Sequence, residues 1–225
     1  MIPRVLIDSA VVPGGGGELR LIRRGDDFWI MLGANALMST RLRGSEEALA
    51  TLVCERMMGR PRLAMLIGGL GMGFTLRAAL GALGRDSEVV VSELVPAIIA
   101  WARGPMAHVH AGSLDDPRVR IVESDVGDLI AAARGRYDSI LLDVDNGPDA
   151  LSRETNDRLY DLDGLRRAKA ALKPGGILAI WSAAPDPAFT RRLGKAGFAV
   201  EEVTVRAHAG RKGTKHMIWL ATRGR

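Results

Sequence analysis

Residues 63–73 read LAMLIGGLGMG: five apolar residues, Leu63–Ile67, run directly into the glycine-rich segment Gly68–Gly73. A short apolar run bounded by turn residues is typical of a strand that is buried on both faces of a parallel sheet. Glycine lets the chain turn sharply and lets a ligand approach the backbone, because it has no Cβ atom. The segment therefore predicts a strand, a tight turn and the start of a helix.

The spacing of the glycines narrows the kind of ligand. A dinucleotide fingerprint needs G-x-G-x-x-G. Counted from Gly69 the third glycine position holds Phe74, and counted from Gly71 it holds Leu76. The remaining pattern, G-x-G-x-G ending at Gly73, suits a nucleoside with an amino-acid tail, although a purely structural turn is the alternative. We assign ligand binding to Gly68, Gly69, Leu70, Gly71 and Gly73.

Strands and helices are predicted to alternate from Arg62 onwards. Besides the first strand, the predicted strands are Glu88–Ser92, Val119–Val122, Tyr137–Leu142, Ile177–Trp181, Val200–Val205 and His216–Ala221, and the predicted helices include Phe74–Leu83 and Pro96–Arg103. This order predicts an α/β fold with a doubly wound sheet, whose ligands bind at the carboxyl ends of the strands.

The first sixty residues predict a smaller β-rich region. Glu18–Arg23 and Phe28–Leu32 are apolar runs separated by a turn, the pattern of a hairpin. Ser45 is the expected cap of a following helix, whose first turn carries Glu46 and Glu47 next to the positive end of the helix dipole. We place a domain boundary after residue 60, giving domains 1–60 and 61–225.

Acidic residues follow the second and third strands of the larger domain. Glu93 lies twenty positions after Gly73, where a carboxylate can accept hydrogen bonds from both ribose hydroxyls, and Leu94 could cover an adenine face. If Glu93 holds the ribose, we expect its replacement to weaken ligand binding and hardly to change stability; the alternative is that Glu93 is a solvated charge at the end of the strand. Asp125, followed by Val126, could accept the adenine amino group, cap a helix, or do both.

Polar residues also follow the fourth strand. Asp143, Asp145 and Asn146 are expected at the carboxyl edge of the sheet, where ligand and substrate meet. We assign Asp143 to cofactor binding and catalysis, as the group that orients an amine or hydroxyl and takes its proton. Asp145 and Asn146 are assigned to substrate binding. The alternative for Asp143 is that it only completes the cofactor pocket or caps a loop.

Composition and charge limit the compartment and the partners of the protein. The chain has 225 residues, a single cysteine and a net charge of +5. With one cysteine no internal disulfide can form, and no apolar stretch reaches the length of a membrane span. We therefore expect a cytoplasmic protein without a membrane partner. The basic group near the end, Arg206 to His216, could attract an anion or nucleic acid, but we interpret it as a solvated loop and predict no nucleic-acid partner.

Residues 62–181 resemble class I S-adenosylmethionine-dependent methyltransferases, and more specifically the spermidine synthase (polyamine aminopropyltransferase) superfamily. The doubled glycine Gly68-Gly69, the segment Tyr137–Asp143 and the segment Ala171–Gly176 carry the closer similarity. The small β-rich N-terminal region matches as well. The resemblance implies a Rossmann-like sheet, S-adenosylmethionine or its decarboxylated form as cofactor, a small-molecule acceptor and, by analogy, a homodimer.

Departures from that superfamily bear on the reaction. Spermidine synthases typically have an aspartate within the glycine-rich turn, which holds the aminopropyl ammonium, and here this position is Gly71. They also carry Tyr-His-Glu after the N-terminal strands, where this chain has residues 36–41, ALMSTR. Of the two acids that they place after the fourth strand, only Asp143 is matched. Residues 181–184, WSAA, lack the Asp-Asn pair of metal-dependent catechol-type methyltransferases, so we predict no metal.

These observations favour methyl transfer from S-adenosylmethionine to a small-molecule amine or hydroxyl. Two alternatives remain open. One is aminopropyl transfer to an amine from the decarboxylated donor, and the other is a non-catalytic nucleoside-binding module.

Overall fold

A computed structural model describes residues 2–144, 158–207 and 214–225 of the chain. Within these ranges the predicted α/β fold class is confirmed: a small antiparallel sheet precedes a seven-stranded mixed sheet with helices packed against it. No helix in these ranges has the length and apolarity that crossing a membrane would require.

The N-terminal sheet has four antiparallel strands in chain order. They are β1 (Val5–Val11), β2 (Glu18–Arg24), β3 (Asp27–Leu32) and β4 (Asn35–Ser39). The predicted hairpin is confirmed as β2 and β3, whereas β1 and β4 did not stand out in the sequence. Leu19, Leu21, Phe28 and Ile30 are buried on one face of the sheet, as the alternation of side chains along a half-buried strand requires.

The large sheet has the strand order β10-β11-β9-β8-β5-β6-β7. Its strands are β5 (Ala64–Gly68), β6 (Glu88–Glu93), β7 (Val119–Glu123), β8 (Tyr137–Leu142), β9 (Leu172–Ser182), β10 (Phe198–Arg206) and β11 (Lys215–Arg223). Strands β5 to β9 are parallel, and β11 runs antiparallel between β9 and β10. Every residue of β8 is buried, as expected for a strand covered on both faces.

Seven α-helices are described. They are α1 (Gly44–Arg56), α2 (Phe74–Ala82), α3 (Pro96–Arg103), α4 (Ala107–His110), α5 (Val126–Ala132), α6 (Leu162–Ala171) and α7 (Pro187–Lys195), with a 3-10 turn at Ser113–Asp115. The two helices named from the sequence end within one residue of their predicted positions. Strand β9 begins five residues earlier than predicted, so the expected turn at 173–176 lies within it as an irregularity, between the pairs Tyr137–Leu172 and Ser139–Ile177.

The prediction that Ser45 caps helix α1 is wrong. The helix begins at Gly44, Arg43 occupies the cap position, and no side chain makes a capping hydrogen bond there. Ser45 lies inside the first turn and is buried, and its Oγ is 2.9 Å from His216 Nδ1. The serine therefore joins α1 to β11 instead of satisfying the start of its own helix.

Two aspartates mark opposite ends of β8 and have different surroundings. Asp138, near the start of the strand, is only 6% exposed; its Oδ2 accepts hydrogen bonds from the Ala64 backbone N–H at 2.9 Å and from Lys173 Nζ at 2.7 Å. These contacts tie β5, β8 and β9 together at the edge where the parallel strands begin. Asp143 follows the other end, at the carboxyl edge where an α/β sheet binds ligands.

The two sheets share one hydrophobic cluster. Buried residues of the small sheet, among them Leu21 and Ile30, pack in the same core as Leu70, Met72 and Trp101 of the larger part. Helix α1 packs against α2 and β9. The domain boundary at residue 60 stays a prediction.

Candidate active site

A cleft that is partly open to solvent lies between the N-terminal sheet and the carboxyl edge of the large sheet. Residues from both sides line it. Those of the small sheet and its turns are Val12, Gly16, Leu19, Ile30, Leu32, Leu37 and Met38, and those of the larger part are Gly69, Ser92, Glu93, Leu94, Val95, Ile98, Ser124, Asp125, Val126, Asp143, Val144 and Leu159. The apolar underside of the small sheet is therefore one wall of the cleft.

The glycine-rich turn passes close to the backbone of the fourth parallel strand. Gly69 has φ +92°, and a Cβ atom there would lie 2.5 Å from the carbonyl oxygen of Asp143. Both the dihedral angle and the contact therefore require glycine. Gly69 lines the cleft, whereas Gly68, Leu70, Gly71 and Gly73 do not. Gly68 packs instead against the side chain of Val126, which does line it.

Glu93 is an integral part of the turn rather than a solvated charge. It is only 5% exposed, and its carboxylate accepts hydrogen bonds from the backbone N–H groups of Leu70 and Val95, each at 2.9 Å. Burial raises the pKa of Glu93, and hydrogen bonds from backbone N–H groups oppose that rise. Backbone N–H groups of Gly71 and Leu94 also act on this carboxylate. A carboxylate offers about four acceptor positions, so ligand hydroxyls would have to share them with the backbone. Leu94 lines the cleft beside it.

Asp125 caps helix α5, which confirms the prediction that it caps a helix. Its Oδ1 accepts a hydrogen bond from the Gly127 backbone N–H at 2.7 Å, and the residue also lines the cleft. The cap leaves acceptor capacity on the same carboxylate. Its role in holding adenine stays a prediction.

Asp143 is joined to a second acidic residue through a buried threonine. Thr75 Oγ1 lies 2.6 Å from Asp143 Oδ2 and 3.2 Å from the backbone carbonyl oxygen of Glu46. Asp143 follows β8, Thr75 belongs to the first turn of α2, and Glu46 to the first turn of α1. Thr75 thus links the side chain of Asp143 to the main chain of α1, and the charge of Asp143 acts on the Glu46 carboxyl group.

The electrostatics of this pair suit proton transfer near neutral pH. Burial raises the pKa of Asp143 to about 6, while the hydrogen bond from Thr75 opposes the rise. Burial, the charge of Asp143 and then the charge of Glu47 raise the pKa of Glu46 well above its ordinary value. Two like charges in one buried site disfavour each other, so the pair readily holds a proton.

The position at which spermidine synthases typically carry an aspartate is occupied differently here. Gly71 has φ +48°, and a Cβ atom on it would lie 2.8 Å from the sulfur of Met38 in strand β4. The thioether of Met38, from the N-terminal sheet, therefore lies against the turn at the position where the resembling family typically has a carboxylate.

Other predicted site residues are not described. Asp145 and Asn146, the predicted substrate-binding residues, lie outside the described residues, as does part of the basic group near the end of the chain. In the part of the chain that the structure does describe, no three His, Cys, Asp or Glu side chains are grouped as metal ligands would be.

Sequence reasoning missed Glu46, Thr75 and Met38 as site residues. Glu46 was interpreted as a helix-dipole residue, and only the packing of α1 against α2 brings it near Asp143. Thr75 is the second residue after Gly73, and this position close to the glycine turn was a usable signal. Met38 lies on β4, a strand that carries no clear alternation. The only signal for it was its place within residues 36–41, where the resembling family carries Tyr-His-Glu.

Several similar sequences are polyamine aminopropyltransferases. The polyamine aminopropyltransferase of Mycobacterium tuberculosis is 31% identical over 192 residues, which are 81% of this chain and 35% of that protein. The one from Nitrosomonas europaea is 34% identical over 129 residues, which are 56% of this chain and 37% of that protein. The chain thus spans about a third of the length of these relatives. No family model matches it.

Solved structures agree on the fold. Spermidine synthase from Thermotoga maritima covers 97% of this chain with a TM-score of 0.76 at 19% sequence identity, and the match spans 73% of that protein. A probable spermidine synthase from Corynebacterium glutamicum gives a TM-score of 0.64 at 13% identity over 97% of this chain and 79% of that one. The chain is therefore a homologue of the polyamine aminopropyltransferases and has the spermidine synthase-like form of the class I S-adenosylmethionine-dependent methyltransferase fold.

Proposed function

We propose that the chain transfers an alkyl group from an S-adenosylmethionine-type sulfonium donor to a small-molecule amine, and that this group is aminopropyl. The observation that carries the proposal is the pair of half-buried acidic residues, Asp143 and Glu46, at the cleft that Glu93, Asp143 and Gly69 line. The names of the relatives favour aminopropyl over methyl transfer, which was the first interpretation of the sequence.

The cleft has the groups that such a donor needs. Glu93 lines the cleft with a carboxylate that ribose hydroxyls can share with the backbone, and Asp125 has acceptor capacity for the adenine amino group. Leu94, Val95 and Ile98 supply apolar surface for the ring. Gly69 leaves room for close approach of the ligand to the backbone. These residues fit a nucleoside whose tail is directed towards Asp143.

The acid pair suits an amine acceptor. An ammonium must lose a proton before its nitrogen can act as a nucleophile, and a carboxyl group whose pKa is raised is a better base at neutral pH than an ordinary one. The amine nitrogen forms the new N–C bond as the C–S bond of the donor breaks, and the bonding pair leaves with sulfur. The proton released from nitrogen passes to Asp143, and the negative charge of the pair attracts the cationic acceptor.

Methyl transfer is the second candidate, and one observation favours it. An aminopropyl donor carries a free ammonium, yet the turn presents Gly71 and the sulfur of Met38 where the family typically has an aspartate. Backbone N–H groups at the start of α2 suit a carboxylate tail instead, because the helix dipole and unpaired donors favour an anion.

The product decides between the candidates. The purified chain is incubated with putrescine and either S-adenosylmethionine or its decarboxylated form, and the acceptor is analysed by mass spectrometry, with the Asp143→Asn variant as control. Aminopropylated amine, absent with the variant, is the expected result. Methylated amine would replace the proposal by the second candidate. Donor binding without any product from putrescine or a panel of amines would favour a non-catalytic nucleoside-binding module.

A further inference from the structure

Thr75 occupies a position that the proposed reaction does not by itself explain. It is only 3% exposed, and its hydroxyl contacts both the carboxyl of Asp143 and the carbonyl oxygen of Glu46. We propose that Thr75 is a positioning residue that holds the Asp143 carboxyl in one place in both its ionised and its protonated form. The inference rests on the proposed function in one respect, that Asp143 takes the proton of the acceptor.

The chemistry of a hydroxyl group makes this double role possible. A threonine hydroxyl has one proton to donate and two lone pairs that accept. When Asp143 is ionised, Thr75 donates its proton to Oδ2. When Asp143 is protonated, the carboxyl donates to Thr75 Oγ1, and the threonine proton turns towards the Glu46 carbonyl oxygen. Both states are hydrogen-bonded without movement of any heavy atom.

The backbone fixes both ends of the contact. Thr75 is the second residue of α2, between the buried side chains Phe74 and Leu76. The Asp143 N–H donates to the Gly68 carbonyl oxygen at 3.0 Å. Threonine in a helix divides between two χ1 rotamers, and the contacts with Asp143 and with the Glu46 carbonyl oxygen select the one seen here.

The charged groups around Asp143 make this hydrogen bond important. Glu46 and Glu47 belong to α1, Glu93 and Asp125 line the same cleft, and His216 of β11 contacts the neighbouring Ser45. Burial disfavours the negative charge at Asp143, and a negative charge there in turn raises the pKa of Glu46. The Thr75 hydroxyl acts in the opposite direction, because it stabilises the ionised carboxylate.

A direct titration of Asp143 tests the role without requiring activity. Isotope-edited infrared difference spectra, referenced to Asp143→Asn, follow the carboxyl band against pH in the absence of donor and acceptor. Thr75→Val keeps the shape of the side chain but removes the hydroxyl, and we expect it to raise the pKa of Asp143 by about one unit, as loss of a hydrogen bond to a charged group would. Thr75→Ser, the matched control, keeps the hydroxyl and should leave the midpoint near that of the unmodified protein.

Kinetics supply the second measurement. In Thr75→Val, the acid limb of the pH profile of kcat should move to higher pH by the same amount as the titration midpoint. In Thr75→Ser, the acid limb should stay where it is in the unmodified protein. If Thr75→Val does not fold, Thr75→Ala serves in both measurements with the same expected direction. An unchanged midpoint in the hydroxyl-free variant, or an equal shift in Thr75→Ser, would overturn the proposal. Absence of product with either donor would refute the proposed function only, since the titration decides the role of Thr75 separately.

Discussion

The sulfur atom of Met38 lies 2.8 Å from the position that a Cβ atom on Gly71 would take. Met38 belongs to the N-terminal sheet and Gly71 to the glycine-rich turn, so the two parts of the chain meet where the family typically carries an aspartate. Any side chain at position 71 therefore has to displace the thioether. A methionine side chain is flexible enough to move, but an alanine at position 38 would remove the conflict.

The first prediction concerns donor selectivity. In the Met38→Ala background, Gly71→Asp should shift the ratio of the two donor affinities by about tenfold towards decarboxylated S-adenosylmethionine, because the new carboxylate can hold its ammonium. Aspartate tolerates the positive φ of this position better than most residues. Calorimetric Kd values for both donors check the result, with Met38→Ala alone as control. Equal ratios in the single and double variants would contradict it.

The second prediction concerns Glu93, and here the structure changes what the sequence led us to expect. Because its carboxylate is buried and bonded to the turn, replacing Glu93 should lower stability as well as ligand binding. Glu93→Gln should weaken donor binding by about 1.5–3 kcal/mol, the range for hydrogen bonds to charged groups, and should also lower Tm. Calorimetry and thermal unfolding measure the two effects.

Glu123 provides a matched control for that experiment. It is the residue opposite Glu93 in the pairing of β6 with β7, but it is exposed. Glu123→Gln removes the same charge one strand away and should change neither donor affinity nor Tm appreciably. A similar loss of affinity in both variants would indicate a general effect of charge and would remove Glu93 from the donor site.

The sequence predicted those parts of the fold that depend on local patterns. The run Leu63–Ile67 and its glycine turn located β5 and α2, and the acids after β6, β7 and β8 were placed at the correct edge because carboxyl ends of parallel strands meet there. Strands β1 and β4 were missed because their exposed edges carry little alternation.

The rest of the site depends on contacts between distant segments. Glu46 and Asp143 are 97 positions apart in the chain, and their coupling arises only when α1 packs against α2. Burial likewise decides that Glu93 is a structural acceptor, and no local pattern encodes that burial. Long-range packing of this kind is what sequence periodicity leaves undetermined.

The third prediction concerns Asp143 and stability. Because the folded protein holds a proton on Asp143 up to about pH 6, and the unfolded chain only up to about pH 4, folding binds protons between these values. Stability from this group is therefore present below about pH 4 and is lost as pH rises through 6. Asp143→Asn should abolish transfer. The difference in free energy of unfolding between this variant and the unmodified protein should be about 2–3 kcal/mol more favourable to the variant at pH 7 than at pH 4.

Denaturant unfolding at several pH values measures that difference. Asp138→Asn is the control at the other end of β8. Since Asp138 accepts hydrogen bonds from Ala64 and Lys173, its replacement should destabilise the protein at pH 7. If Asp143→Asn and the unmodified protein showed the same pH dependence of stability, Asp143 would have an ordinary pKa and could not be the proposed base.

The fourth prediction concerns His110, which is buried behind the glycine-rich turn. It is 1% exposed, its ring contacts Gly73, and neither ring nitrogen has a hydrogen-bond partner among the described residues. Burial, and to a lesser extent the charge of Arg77, lowers its pKa to about 4. The side chain is therefore neutral in the folded protein at any physiological pH.

This burial should make the fold sensitive to acid. The unfolded chain protonates His110 near pH 6.5 and the folded protein only near pH 4, so the unfolded state binds more protons in that window. The contribution to stability is complete above pH 6.5 and should fall by about 3 kcal/mol as pH drops to 4. His110→Leu should remove this loss, whereas His108→Leu, on the exposed side of the same short helix, should retain it. Denaturant unfolding of the three proteins between pH 4 and 7 makes the comparison. Parallel pH profiles of the free energy of unfolding for His110→Leu and the unmodified chain would contradict the prediction, because the imidazole would then take up its proton without destabilising the fold.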